Sequence, residues 1–89
     1  MPSEFDPDKN VVNIAKHGVP LTFGDQVIAD PDHVIIPTTR MKDEEFRFKA
    51  VGLVNGKLWT AIHVHRGPRI RFISVRRSND GERRIYNRA

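Results

Sequence analysis

Eighty-nine residues, 38% hydrophobic and 29% charged, fit one small α+β domain spanning 1–89, with no room for a two-domain cofactor enzyme. The absence of cysteine excludes disulfide staples, thiolate zinc sites and thiol nucleophiles, and no apolar run approaches a membrane span. The net charge of +4 is uneven: residues 1–65 carry seven Lys/Arg against nine Asp/Glu, whereas residues 66–89 carry eight arginines against Asp80 and Glu82.

In chain order, the opening MPSEFDPDKN has no apolar signal core, so no secretory signal is expected, and the absence of cysteine fits a cytoplasmic location. Asp6 and Pro7 then provide a cap and a first residue for a helix. Val11, Ile14 and Ala15 recur at helical spacing and predict its buried face, and Gly18 predicts a left-handed stop. Thr22 followed by Asp25 predicts the cap of a second, short helix ending near Ala29, broken by Asp30-Pro31-Asp32. A short strand is expected from His33 to Ile36, then a loop from Thr38 to Glu45.

Phe46 to Val54 and Lys57 to His65 flank Asn55-Gly56, a strong two-residue hairpin signal. Such a turn sets Val54 opposite Lys57, Ala50 opposite Ala61 and Phe48 opposite His63. Arg66-Gly67-Pro68 turns the chain into a last strand, Arg69 to Arg77. Strict alternation would place Arg71, Ile73, Val75 and Arg77 on one face, and Ile70, Phe72, Ser74 and Arg76 on the other. Asn79 with Glu82 three residues on predicts a capping box for a C-terminal helix. The expected order is α-α-β-β-β-β-α, two N-terminal helices followed by a four-stranded antiparallel meander and a final helix.

The arginine-rich strand and the helix start after it suit an anion, because guanidinium forks and free N–H groups both recognise phosphate. A solvated or carboxylate-paired basic surface is the plainer reading, with Glu44, Glu45 or Glu82 as candidate partners. His63 and His65 share a strand face, yet no third ligand stands at a zinc-motif spacing, so no metal and no cofactor are expected. Trp59 reads as core before it reads as a base-stacking platform. RNA carries its own nucleophile, the 2′-OH, so several arginines and one modest acid or base suffice to cleave it.

Three segments in the right order resemble the BrnT family of bacterial type II toxins. Phe5, Asp6, Pro7, Asn13, Lys16, His17, Gly18 and Val19 resemble its opening. Glu44 or Glu45, Arg47 and Gly52 resemble its middle, and Phe23 and Asp30 fit the helix and turn between. Arg71, Ile73, Ser74, Arg76, Arg77, Glu82, Arg83 and Tyr86 resemble its closing signature. The resemblance implies a RelE-like ribonuclease, neutralised by an adjacently encoded ribbon-helix-helix antitoxin (BrnA-like) in a two-plus-two complex that reaches operator DNA only through the antitoxin. It assigns Arg71, Arg76 and Arg77 to the phosphate and His17, Lys16 or Tyr86 to proton transfer. Lys16, Arg47, Arg69 and Arg83 are assigned to RNA binding, with Glu82 and Ser74 in support. Two alternatives use the same basic surface: a non-catalytic nucleic-acid-binding module, and an interaction protein that receives an acidic segment.

Overall fold

The computed structural model describes residues 4–38 and 46–88. A two-residue strand, β1 (Glu4–Phe5), leads into helix α1 (Pro7–His17). The Asp6 carboxylate accepts the Asp8 N–H at 2.9 Å, and Gly18 ends the helix at φ 77° with its N–H on the Ile14 carbonyl. Both ends are as the sequence reads, because each is decided by residues within one turn.

The face that α1 turns inward is not the apolar one. Val11 and Ile14 are 67% and 46% exposed and Ala15 is exposed, whereas Asn13 is buried. The Asn13 side chain donates to the Val75 carbonyl at 2.9 Å and accepts the Val75 N–H at 3.0 Å. This amide replaces a neighbouring strand, and two satisfied backbone groups outweigh the hydrophobic pattern. Asn10 does similar work by accepting the Leu21 N–H at 2.7 Å.

The second helical segment is a 3₁₀ turn, Leu21–Phe23, continuing into α2 (Gly24–Ala29). No side chain caps either piece, so the Thr22–Asp25 capping signal is not used. Close packing fixes the segment instead. A Cβ on Gly24 would lie 2.4 Å from the Phe72 ring, and one on Gly52 would lie 2.2 Å from the Val27 carbonyl oxygen.

The remaining elements are β2 (Val34–Pro37), β3 (Arg47–Val54), β4 (Lys57–Arg66), β5 (Arg69–Arg77) and α3 (Asp80–Arg88). The expected loop after Thr38 lies outside the described residues. The four antiparallel strands form the meander, and the hairpin register pairs Val54 with Lys57, Ala50 with Ala61 and Phe48 with His63, as the Asn-Gly turn requires. β1 adds a fifth strand to give the order β1-β5-β4-β3-β2, with Glu4 and Phe5 parallel to Arg71 and Phe72. Two residues are too few to carry an alternation signal, so the expected α-α-β-β-β-β-α order lacks this strand.

One departure inside β5 matters most. Ile62 pairs with Ser74 and His63 with Phe72, so Ile73 is an extra residue in a β-bulge. The bulge resets the alternation. Arg71, Ser74 and Arg76 stand opposite Val64, Ile62 and Thr60 on one face, while Phe72, Val75 and Arg77 stand opposite His63, Ala61 and Trp59 on the other. The strict alternation expected for this strand is therefore corrected at its midpoint.

The second face is the core. Leu21 and Val27 pack on Ala50, Val54, Ala61, Phe72 and Val75. The first face receives α3 over only part of its area, through Glu82.

Candidate active site

The site is built around Glu82. Asn79 and Glu82 form the expected capping box: the Asn79 N–H reaches the Glu82 carboxylate at 2.9 Å, and the Glu82 N–H reaches the Asn79 amide oxygen at 2.9 Å. The box holds the carboxylate down onto the sheet, where it is 3% exposed. Arg76 clamps it with two parallel bonds of 2.8 Å. The Thr60 hydroxyl donates to it at 2.9 Å, and Lys49 Nζ lies 3.1 Å away.

Burial alone would push the Glu82 carboxyl up. The bonds from Arg76, the Asn79 N–H, Thr60 and Lys49 outweigh burial and hold it at about 2. In return, Arg76 is raised by the Glu82 bond and stays charged. Two cations thus share one anion, and both reach solvent with about a quarter of each side chain (24% for Arg76, 25% for Lys49).

Next to this hub the sheet face stays basic. The register sets Ser74, Ile62 and Lys49 in one row, and Arg71, Val64 and Arg47 in the next. Arg69 pairs with Arg66 beyond them on the same face. Arg47, Arg66 and Arg69 each have partners of their own. Helix α1 brings further groups to the β5 margin. Asp8, Lys9, Val12, Lys16 and His17 line a groove of about 320 Å³ whose floor includes Ile73 and Ser74. Ser74 is therefore common to the basic sheet face and the groove.

Of the residues singled out in the sequence, Arg71, Arg76, Arg69, Arg47, Ser74 and Glu82 share this face, and Lys16 and His17 border it. Three do not join it. Arg77 sits on the opposite face, 5.5 Å above the Trp59 ring. Arg83 pairs with Asp80 on the exposed side of α3. Tyr86 donates to Asp30 at 2.6 Å, and this bond raises its hydroxyl to about 12. Asp30 also accepts the Leu53 N–H and is lowered chiefly by the Tyr86 bond, which ties α3 to β3 away from β5. Glu44 and Glu45 lie outside the described residues.

Trp59 packs edge-on against Phe23, as a core residue does. His63 is 1% exposed and packs against the Phe48 and Phe72 rings, and burial lowers its basicity. Among the described residues no group of three His, Cys, Asp or Glu side chains is placed to hold a metal.

Lys49 and Thr60 were missed. The available signal was a lysine in mid-strand on the face turned away from the core. It became informative only once Glu82 was known to lie above it.

A family model described as the ribonuclease toxin BrnT of type II toxin-antitoxin systems matches residues 5–82. The chain belongs to the BrnT family. The match opens at Phe5 in β1 and closes at Glu82, the residue on which Arg76 and Lys49 converge, leaving Arg83 and Tyr86 beyond it. No curated protein matches the chain. Members of the family are ribonuclease toxins, and a type II system pairs each toxin with an antitoxin. No helix among the described residues is long and apolar enough to cross a membrane.

Proposed function

We propose that this BrnT-family chain is an active endoribonuclease toxin of RelE-like fold that works in the cytoplasm and cleaves RNA without a metal. The attacking group is the substrate's own 2′-OH. Its oxygen bonds to the neighbouring phosphorus, the bond to the 5′-oxygen breaks, and a 2′,3′-cyclic phosphate remains. One group must take the 2′-OH proton and another must return a proton to the leaving oxygen.

Arg71, Arg76 and Lys49 hold the phosphate and the charge that develops on it. Arg76 is preorganised by its clamp: two of its N–H groups are on Glu82 and one on the Arg77 carbonyl, and the remainder are available to a ligand. Lys16, Arg47 and Arg69 track the RNA backbone. His17 at the groove takes the 2′-OH proton, and its neighbour Lys16 returns a proton to the leaving 5′-oxygen. Ser74 lies between the two halves of the site, and Glu82 positions Arg76 and Lys49. Arg77, Arg83 and Tyr86 receive no chemical role.

The observation that carries this reading is the β5 bulge, which puts Arg71, Ser74 and Arg76 on one face beside Lys49. The partner is a ribbon-helix-helix antitoxin encoded next to it, assembled two-plus-two with the toxin and contacting operator DNA on the toxin's behalf. The test is incubation of the purified chain with RNA in EDTA. Cleavage with cyclic-phosphate ends is the expected result, and RNA that stays intact with and without EDTA would sink the proposal.

A further inference from the structure

Helix α1 has inverted amphipathicity. Asn10, Asn13 and His17 turn toward the protein, while Asp8, Val11, Val12, Ala15 and Lys16 are all exposed, with Asp8, Val12 and Lys16 also walling the groove beside β5. These five lie at i, i+3, i+4, i+7 and i+8, a single helical stripe. Val11 and Val12 are 67% and 51% exposed, which is unusual for adjacent β-branched residues on a helix this short. Burial within the chain does not explain them, because the ordering of α1 comes from its Asn10 and Asn13 bonds.

We infer that this stripe binds a second copy of the same chain, α1 against α1 in antiparallel orientation about a two-fold axis. The charge pattern selects that occupant. The stripe has one acidic end, Asp8, and one basic end, Lys16, about 12 Å apart along the axis. A two-fold axis beside Val11 and Val12 sets Val11 of each copy against the other's Val12. The same rotation brings each Asp8 beside the other copy's Ala15 and Lys16. The patch is thus complementary to itself, as an isologous interface requires, with two opposite-charge pairs closing an apolar seam. Ala15 leaves room for the helices to approach. Two helices of eleven residues bury less than a standard interface. The dissociation constant is therefore on the order of tens of micromolar.

Sedimentation velocity of the free full chain, at low salt and over concentrations bracketing that value, tests the inference. The expected result is a monomer–dimer equilibrium. Asp8→Lys or Lys16→Asp alone would weaken it about tenfold by setting like charges together, and the double exchange would restore it. Val11→Lys, which keeps both charged ends, would leave a monomer. Circular dichroism reports whether each variant keeps its helix, and if the exchanged helix melts, Val11→Lys alone decides. A chain that stays monomeric, a dimer that survives Val11→Lys, or a folded double exchange that fails to recover overturns the inference. Asp8, Val12 and Lys16 also border the groove, so oligomeric state, not cleavage, is the readout.

Discussion

Glu82 shows how a buried charge is made tolerable. It is nearly inaccessible, and its carboxylate stays ionised because five donor N–H or O–H groups from Arg76, Lys49, Thr60 and Asn79 surround it. Its folded value of about 2 lies below the ordinary 4.5. A depressed carboxyl gives stability that is present above the ordinary value and is lost as pH falls through the folded one. That contribution is about 3 kcal/mol. Glu82→Gln is expected to lower stability by about that amount at neutral pH. Its urea midpoint should also lose most of the fall expected of the unaltered chain between pH 4.5 and 2.

The same scale separates the arginines. Arg71→Ala is expected to reduce cleavage about a hundredfold while leaving the melting temperature nearly unchanged. Arg77→Ala removes a cation–π contact of about 0.5–1 kcal/mol and leaves cleavage alone. Equal losses in the two variants, measured as single-turnover rates, would remove the bulge from the mechanism. Tyr86→Phe deletes the bond to Asp30 and is expected to cost about 1–2 kcal/mol with no change in cleavage rate. A collapse of the rate in a folded Tyr86→Phe protein would return that hydroxyl to the site.

At the scale of elements, the catalytic proposal depends on how the edge of β5 is finished. β1 pairs with β5 only at Arg71 and Phe72, and beyond the bulge the Asn13 amide takes over at Val75. Asn13 also donates to the Val19 carbonyl, so one side chain joins α1, the following turn and the sheet edge. Asn13→Ala would leave the Val75 N–H and carbonyl buried without partners, at a cost of about 2–4 kcal/mol. Amide exchange at Val75 should accelerate beyond what the global loss of stability explains, and unchanged exchange there would show that the edge is held by something else. Lys16 and His17 ride on the same helix, so this bond also sets their distance from Ser74.

At the scale of the whole molecule, one sheet face is packed and the other is left partly open and basic. Lys16, Arg47, Lys49, Arg69, Arg71 and Arg76 are the six cations proposed to meet RNA. Single-stranded RNA binding by an inactive variant should therefore weaken with salt at a log–log slope of about −4. A slope near zero in a titration series would argue that the open face serves a different ligand.

The local decisions were legible in the sequence. The Asp6 cap, the Gly18 stop, the Asn55-Gly56 hairpin register and the Asn79–Glu82 box each depend on residues a few positions apart, and each is realised. The family was legible too, since its marks are residue types in a fixed order. The tertiary structure alone decided which arginines belong together, because a strand's face depends on its partner's register and one extra residue, Ile73, reverses it. It also decided that the polar side of α1 faces inward and that Tyr86 answers to Asp30, 56 residues away. Those outcomes follow from backbone groups and buried charges finding partners across the fold, and no pattern of neighbours along the chain encodes them.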